Sequence, residues 1–261
     1  DPYLSRGLGD VYKRQLSAQS LDANLKTEFI DSIISESAIS KDHANSFGKI
    51  IIQDSGGRMK PANTFSSELL RKVSRSNSYN GLNSDQVLVS IMDNPGVWFN
   101  APIVYIKSGQ KGDTIKKIIG VDEKIKKAPL VSFFDSLGNY KLATNLEKAY
   151  LSNVPSQIEK DIIELDRRVN LLYSALEGKI MRIFPVPNDV NNKWISYPEI
   201  SEYTYEGADS LYVNNVLNLY FQTLRVARQD QDYTQSEELL ESIKGFQNCL
   251  LYTSDAADEV L

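Results

Sequence analysis

Apolar residues recur at helical spacing along most of this chain and alternate, strand-like, in only a few short places. Leu25, Phe29, Ile33 and Ile34 predict a helix over 24–38 with one buried face. "KDHANSFGK" reads as a short helix closed by Gly48. Lys49–Gln53 reads as a strand, "DSGG" as its turn, and Pro61 ends any returning strand, because proline has no amide to donate. Asn63 or Thr64 is placed to cap the next helix, with Phe65, Leu69 and Val73 as its stripe and Glu68 one turn from Lys72.

Further along, "NSDQVLVSIMDNP" predicts a capped helix stopped by Pro95. "APIVYIK" predicts a buried strand, and "FFDSLGNYKL" a strand-turn-strand around Gly138-Asn139. The clearest helix spans 156–177, where Ile158, Ile162, Leu165, Val169, Leu172 and Leu176 step by four and three, a seam for another helix. Gly178 stops it, and "IMRIFPVP" begins as a strand. Two last helices, 207–228 and 233–247, are joined by "QDQD", so the short connection predicts an antiparallel hairpin. The expected fold is mainly α with a few short β-strands (α+β), a helical domain with a C-terminal helical hairpin.

With 261 residues and 41% hydrophobic content, the chain can bury a substantial core. A net charge of −5 argues against a nucleic-acid binder that relies on bulk positive charge. No apolar run approaches the roughly 18 residues that mark a membrane helix. The ends, "SRGLGDVYKRQ" and "CLLYTSDAADE", fit none of the neighbouring patterns and resemble translated sequencing-adapter read-through. Residues 1–15 and 249–261 are therefore expected to be non-native tails around a natural segment 16–248. Cys249, the only cysteine, lies in the second tail, and a cysteine-free segment cannot contain a disulfide.

Candidate chemistry is sparse. A phosphate loop needs spaced glycines followed by Lys-Ser/Thr, whereas Gly56 and Gly57 are adjacent and Lys60 precedes Pro61. The turn therefore reads as structural. One histidine, His43, and one cysteine cannot assemble a His/Cys zinc site. "PNDVNNKW" (187–194) has side-chain oxygens but a single carboxylate and no EF-hand spacing, so it reads as an asparagine-rich loop. His43 lies on a short polar helix and reads as a surface or capping residue. No serine has the G-x-S-x-G setting, and no carboxylate pair is singled out. Trp98 and Trp194 read as packing anchors.

The blocks "HANSFGKIIIQDSGGRMKPANTFSSELLRKVSR", "LNSDQVLVSIMDNPGVWFNAPIVYIK", "FFDSLGNYKL", "DRRVNLLYSALEGKIMRIFPVPND" and "NNKW" occur in order over roughly 40–247. Together they resemble a membrane cytochrome c biogenesis protein of the fused ResB/CcsA type (system II, as in Bacteroidetes-like bacteria). The resemblance implies a parent protein embedded in the membrane that carries haem outward and attaches it to apocytochrome c. This chain has no tryptophan-rich segment and only His43, so the resemblance implies a soluble extracytoplasmic (periplasmic) domain without haem ligands of its own. The expected cofactor is none in this fragment. The expected partners are apocytochrome c or the membrane portions of the same protein, and no nucleic acid. Arg58 and Arg71, near the glycine turn, are the partner-facing candidates, and no catalytic, cofactor-binding or metal-binding residue is assigned. A free-standing helical interaction module is the alternative; an independent soluble enzyme has no constellation behind it.

Overall fold

The computed structural model describes residues 23–258; the segment 1–15, read as a tail, lies outside them. Ten α-helices, two 3-10 helices and four two-stranded antiparallel sheets follow one another among the described residues, as the mainly α reading expects. They fall into two compact units.

The first unit holds residues 23–36, 71–76 and 94–173. Helix α1 (Ala23–Glu36) packs on α5 (Pro95–Asn100). Its buried face is Ile30 and Ile34, while Phe29 is 61% exposed and Ile33 half-buried. Phe29/Ile33 and Ile30/Ile34 are both four-residue pairs, so spacing alone could not choose between faces one residue apart. Leu25's side chain lies outside the described ones. Pro95 ends one helix and also opens α5, a first-turn position where its missing amide costs nothing. Trp98 of α5 is fully buried. Strand β5 (Pro102–Tyr105) pairs with β6 (Lys127–Pro129), Val104 facing Ala128, as expected of the "APIVYIK" segment.

Between them lies α6 (Gln110–Ile119), which the hydrophobic pattern did not announce. Gly120, left-handed at φ 78°, closes it. "FFDSLGNYKL" forms no strands: a 3-10 turn (Leu130–Phe133) leads to a single bridge, Phe134 to Tyr140. The carboxylate of Asp135 accepts the amides of Leu137 and Asn139 at 2.8 Å, which curls the chain before a strand can extend. Helix α7 (Ala143–Leu151) was likewise unannounced. Helix α8 (Gln157–Leu176) buries Ile162, Leu165, Val169 and Leu172 in the expected seam, with Ile158 and Leu176 half-buried at its ends.

The second unit holds 37–70, 77–93 and 174–258. Helix α2 (Lys41–Phe47) is capped by Ser40, whose side chain accepts the amide of His43. It packs on α4 (Ser84–Asp93) and on α10 (Thr234–Asp258). Gly48 follows at φ −57°, an ordinary value, so its glycine is needed for space and not for backbone freedom. Strand β1 (Ile51–Gln53) pairs with β2 (Met59–Pro61), and Pro61 does end the returning strand. Helix α3 (Ala62–Ser74) starts earlier than a cap at Asn63 or Thr64 would allow. Its first amides are satisfied by backbone: Ala62 donates to Ile50 and Asn63 to Gly48, each at 2.9 Å.

A small hairpin, β3 (Ser78–Tyr79) and β4 (Leu82–Asn83), leads into α4. There Asn83 and Gln86 exchange side-chain-to-amide bonds of 2.9 and 3.1 Å. After Gly178, "IMRIFPVP" supplies only β7 (Phe184–Pro185), paired with β8 (Trp194–Ile195), and Trp194 is buried. A 3-10 helix (Tyr197–Glu202) leads to the final hairpin of α9 (Gly207–Asp230) and α10. Thr223 pairs with Ser236 and Tyr212 with Phe246, so the two run antiparallel. Helix α10 continues to Asp258, past the expected end near 247, since no glycine or proline intervenes to stop it.

Candidate functional site

The glycine turn is the tip of the β1–β2 hairpin, and its base is clamped by two buried glutamines. The side-chain oxygen of Gln53 accepts the Trp194 amide at 2.8 Å, and its nitrogen donates to the Asn192 carbonyl at 2.9 Å. Gln247 of α10 accepts from Ile51 at 3.2 Å and donates to Ile51 and Ile183 at 2.9 and 3.0 Å. These bonds pair backbone groups that three-residue strands leave over. Sequence reasoning missed both glutamines. One signal was present: Leu240, Ile243 and Gln247 share one helical stripe, and a polar residue in an apolar stripe marks a buried bond.

The tip is held by Asp54. Its Oδ1 accepts the amides of Gly56 and Arg58 at 2.8 and 3.1 Å, and its Oδ2 meets Lys60 Nζ at 2.9 Å. The Lys60 ammonium and these amides hold the Asp54 carboxyl down at about 2. Lys60 also reaches Glu68 at 3.3 Å, and these carboxylates, Asp54 first, raise its pKa. Gly57 takes φ +81° with open space around it, so the turn needs glycine for backbone freedom. Residues 55–59 are exposed, and Arg58 projects from this tip. Arg71 is exposed on the last turn of α3 and belongs to the first unit.

His43 is buried, not a surface residue: it is 1% exposed in the second unit. Its Nδ1 lies 2.6 Å from Glu237 Oε1 and its Nε2 2.9 Å from the Tyr220 hydroxyl. A carboxylate only accepts, so Nδ1 carries the proton and Nε2 accepts from Tyr220. Tyr233 stacks on the ring at 4.9 Å, and its hydroxyl accepts the Ser40 amide at 3.0 Å. Burial lowers the imidazole pKa, against the opposing pull of Glu237. Both ring nitrogens are therefore engaged in hydrogen bonds within the second unit. The partners lie more than 170 residues away in sequence, so nothing near His43 announced its burial.

Beside it, the Gly48 backbone approaches Asp85 so closely that a Cβ there would sit 2.9 Å from Oδ2. Asp85 is buried and accepts from the Ser66 hydroxyl; burial raises its pKa. The loop 187–194 uses its one carboxylate, Asp189, to accept the amides of Asn191 and Lys193 at 2.9 and 3.1 Å. Among the described residues, no three His, Cys, Asp or Glu side chains are grouped to hold a metal ion. A mostly apolar cleft of about 200 Å³ opens in the second unit between Met92, Met181, Tyr197, Leu217 and Phe221.

Arg58 thus stands exposed on a hairpin tip whose polar groups are committed to one another. No helix among the described residues is long and apolar enough to cross a membrane. No family model matches the chain. It is similar to Protein NrfI of Wolinella succinogenes, 28% identical over 212 residues, which cover 80% of this chain. The chain spans about a fifth (22%) of that relative's length.

Proposed function

We propose that this chain is an extracytoplasmic accessory domain of a membrane cytochrome c biogenesis protein of the fused ResB/CcsA type, acting in haem delivery and attachment to apocytochrome c. The observation that carries the cytochrome c biogenesis part of this reading is the match to Protein NrfI over most of the chain; the fused ResB/CcsA type rests on sequence resemblance alone. The ordered sequence blocks described above agree with it. In this reading the domain itself holds no haem, which the parent protein handles in its remaining portions. Its work is contact with apocytochrome c or with those portions, on the periplasmic side. The engagement of both His43 nitrogens supports a role in docking over one in ligation. Arg58, on a tip fixed by Asp54 and the two glutamines, is the first candidate for that contact, because a guanidinium on a rigid turn recognises carboxylates and carbonyls at little entropic cost. Arg71 is the second.

The test is binding of an immobilised apocytochrome c, with the haem-loaded protein as control. The expected result is saturable binding to the apo form, weakened several-fold by Arg58→Ala with the melting temperature unchanged. Absence of binding by both forms, together with normal haem attachment in cells whose parent protein lacks this domain, would overturn the reading.

A further inference from the structure

The outer face of α9 carries an unusual set of side chains. Leu211, Leu219 and Val226 are 71, 48 and 55% exposed. Asn215, Asn218, Gln222 and Gln229 are exposed beside them. At 3.6 residues per turn these seven positions fall within a sector of roughly 100°. It lies opposite the buried stripe of Val213, Val216, Tyr220, Leu224 and Ala227. None of the seven is charged, although 24% of the chain is. The outer side of the neighbouring α10, by contrast, carries Glu238 and Glu241. A solvated helix face ordinarily carries such charges. Arg225, at the flank, is engaged by Asp93 at 3.2 Å.

The order of these residues is symmetric. Helix α9 runs from Gly207 to Asp230, so its midpoint falls between Asn218 and Leu219. About that point Leu211 mirrors Val226 and Asn215 mirrors Gln222. A two-fold axis lying along this face at the level of the midpoint, perpendicular to the helix, lays an antiparallel second copy on it. Leu211 then meets the second copy's Val226, and the Asn215 amide meets the second copy's Gln222. Leu219 meets its own equivalent. A two-fold contact places every residue near a copy of itself or its mirror, so charges on it repel; an uncharged face avoids this.

We infer that α9 is a self-association surface, and that two copies of this chain pair through it in antiparallel order. A single helix face buries less than the roughly 800 Å² per partner of a standard interface, so the dimer is weak and concentration-dependent. The inference stands apart from the role in cytochrome c maturation and holds or fails without it.

The test uses the full chain carrying Cys249→Ser, which removes its only cysteine. Leu219→Cys sits next to the axis, so mild oxidation or a short bis-maleimide should link two copies. Leu211→Cys should not link, because its two equivalents lie roughly 22 Å apart along the helix. The double variant Leu211→Cys/Val226→Cys should link again. Light scattering on the unmodified chain should show the mass rising toward a dimer with concentration, and Leu219→Glu should hold it at the monomer. A constant monomer mass, or equal linking at positions 211 and 219, would overturn the proposal.

Discussion

The Nδ1 of His43 donates to Glu237 across 2.6 Å, tying a seven-residue helix near one end of the chain to the final helical hairpin. Because burial lowers the imidazole pKa from its ordinary 6.5, the folded chain resists a proton that the unfolded chain accepts. Stability from the neutral ring is therefore full above 6.5 and is lost as pH falls from there toward the folded value. The groups around the ring are Glu237, Tyr220 and Tyr233, with Arg228 and Asp93 acting on Tyr220 from further off. The melting temperature should drop between pH 7.5 and 5.5, and His43→Gln should flatten that part of the curve. Equal slopes in both proteins would show that His43 does not titrate on unfolding.

A separate low-pH event belongs to the hairpin tip. Asp54 has its pKa depressed to about 2 by Lys60 and two turn amides. Its stabilising contribution is present above the ordinary carboxylate value of 3.8 and is lost as pH falls through about 2. Carboxyl titration followed by NMR should find Asp54 among the most acidic groups. A normal value would mean that the Lys60 contact is not made in solution.

Gly48→Ala should destabilise the second unit by about 1–3 kcal/mol, the usual range for overpacking. The backbone there suits any residue, so the cost is steric, with the new Cβ 2.9 Å from Asp85 Oδ2 and 3.0 Å from Asn63 Cβ. The double variant Gly48→Ala/Asp85→Ala should recover part of the loss. Additive losses in urea denaturation would place the strain elsewhere.

In the first unit, Leu165→Ala and Leu172→Ala should each cost roughly 2–5 kcal/mol, since both side chains are removed from a close-packed seam. They are 2% and 0% exposed. Urea midpoints near wild type for both would contradict the burial.

What could be read in advance follows a physical line. The seam of α8, the closing hairpin, the β1–β2 turn and β5 all depend on local periodicity or turn chemistry, and all were legible. Helices α6 and α7 escaped because lysines and polar residues interrupt their stripes. Asp135 turned an expected strand pair into a curl by capturing amides two and four residues on. At the candidate site, the turn and Arg58 were visible, whereas the glutamine clamps and the burial of His43 were not. Those bonds join residues 64 or more positions apart, and no single stretch of sequence encodes them.

Under the proposed function the chain contributes to haem attachment without ligating haem, and a haem titration of the chain followed at the Soret band checks this most directly. A bis-histidine site would need a second histidine, and the one present has both nitrogens engaged. Only weak, non-saturating changes are expected, the same in wild type and in His43→Gln. A saturable one-to-one spectrum that His43→Gln abolishes, with circular dichroism showing the variant still folded, would contradict it.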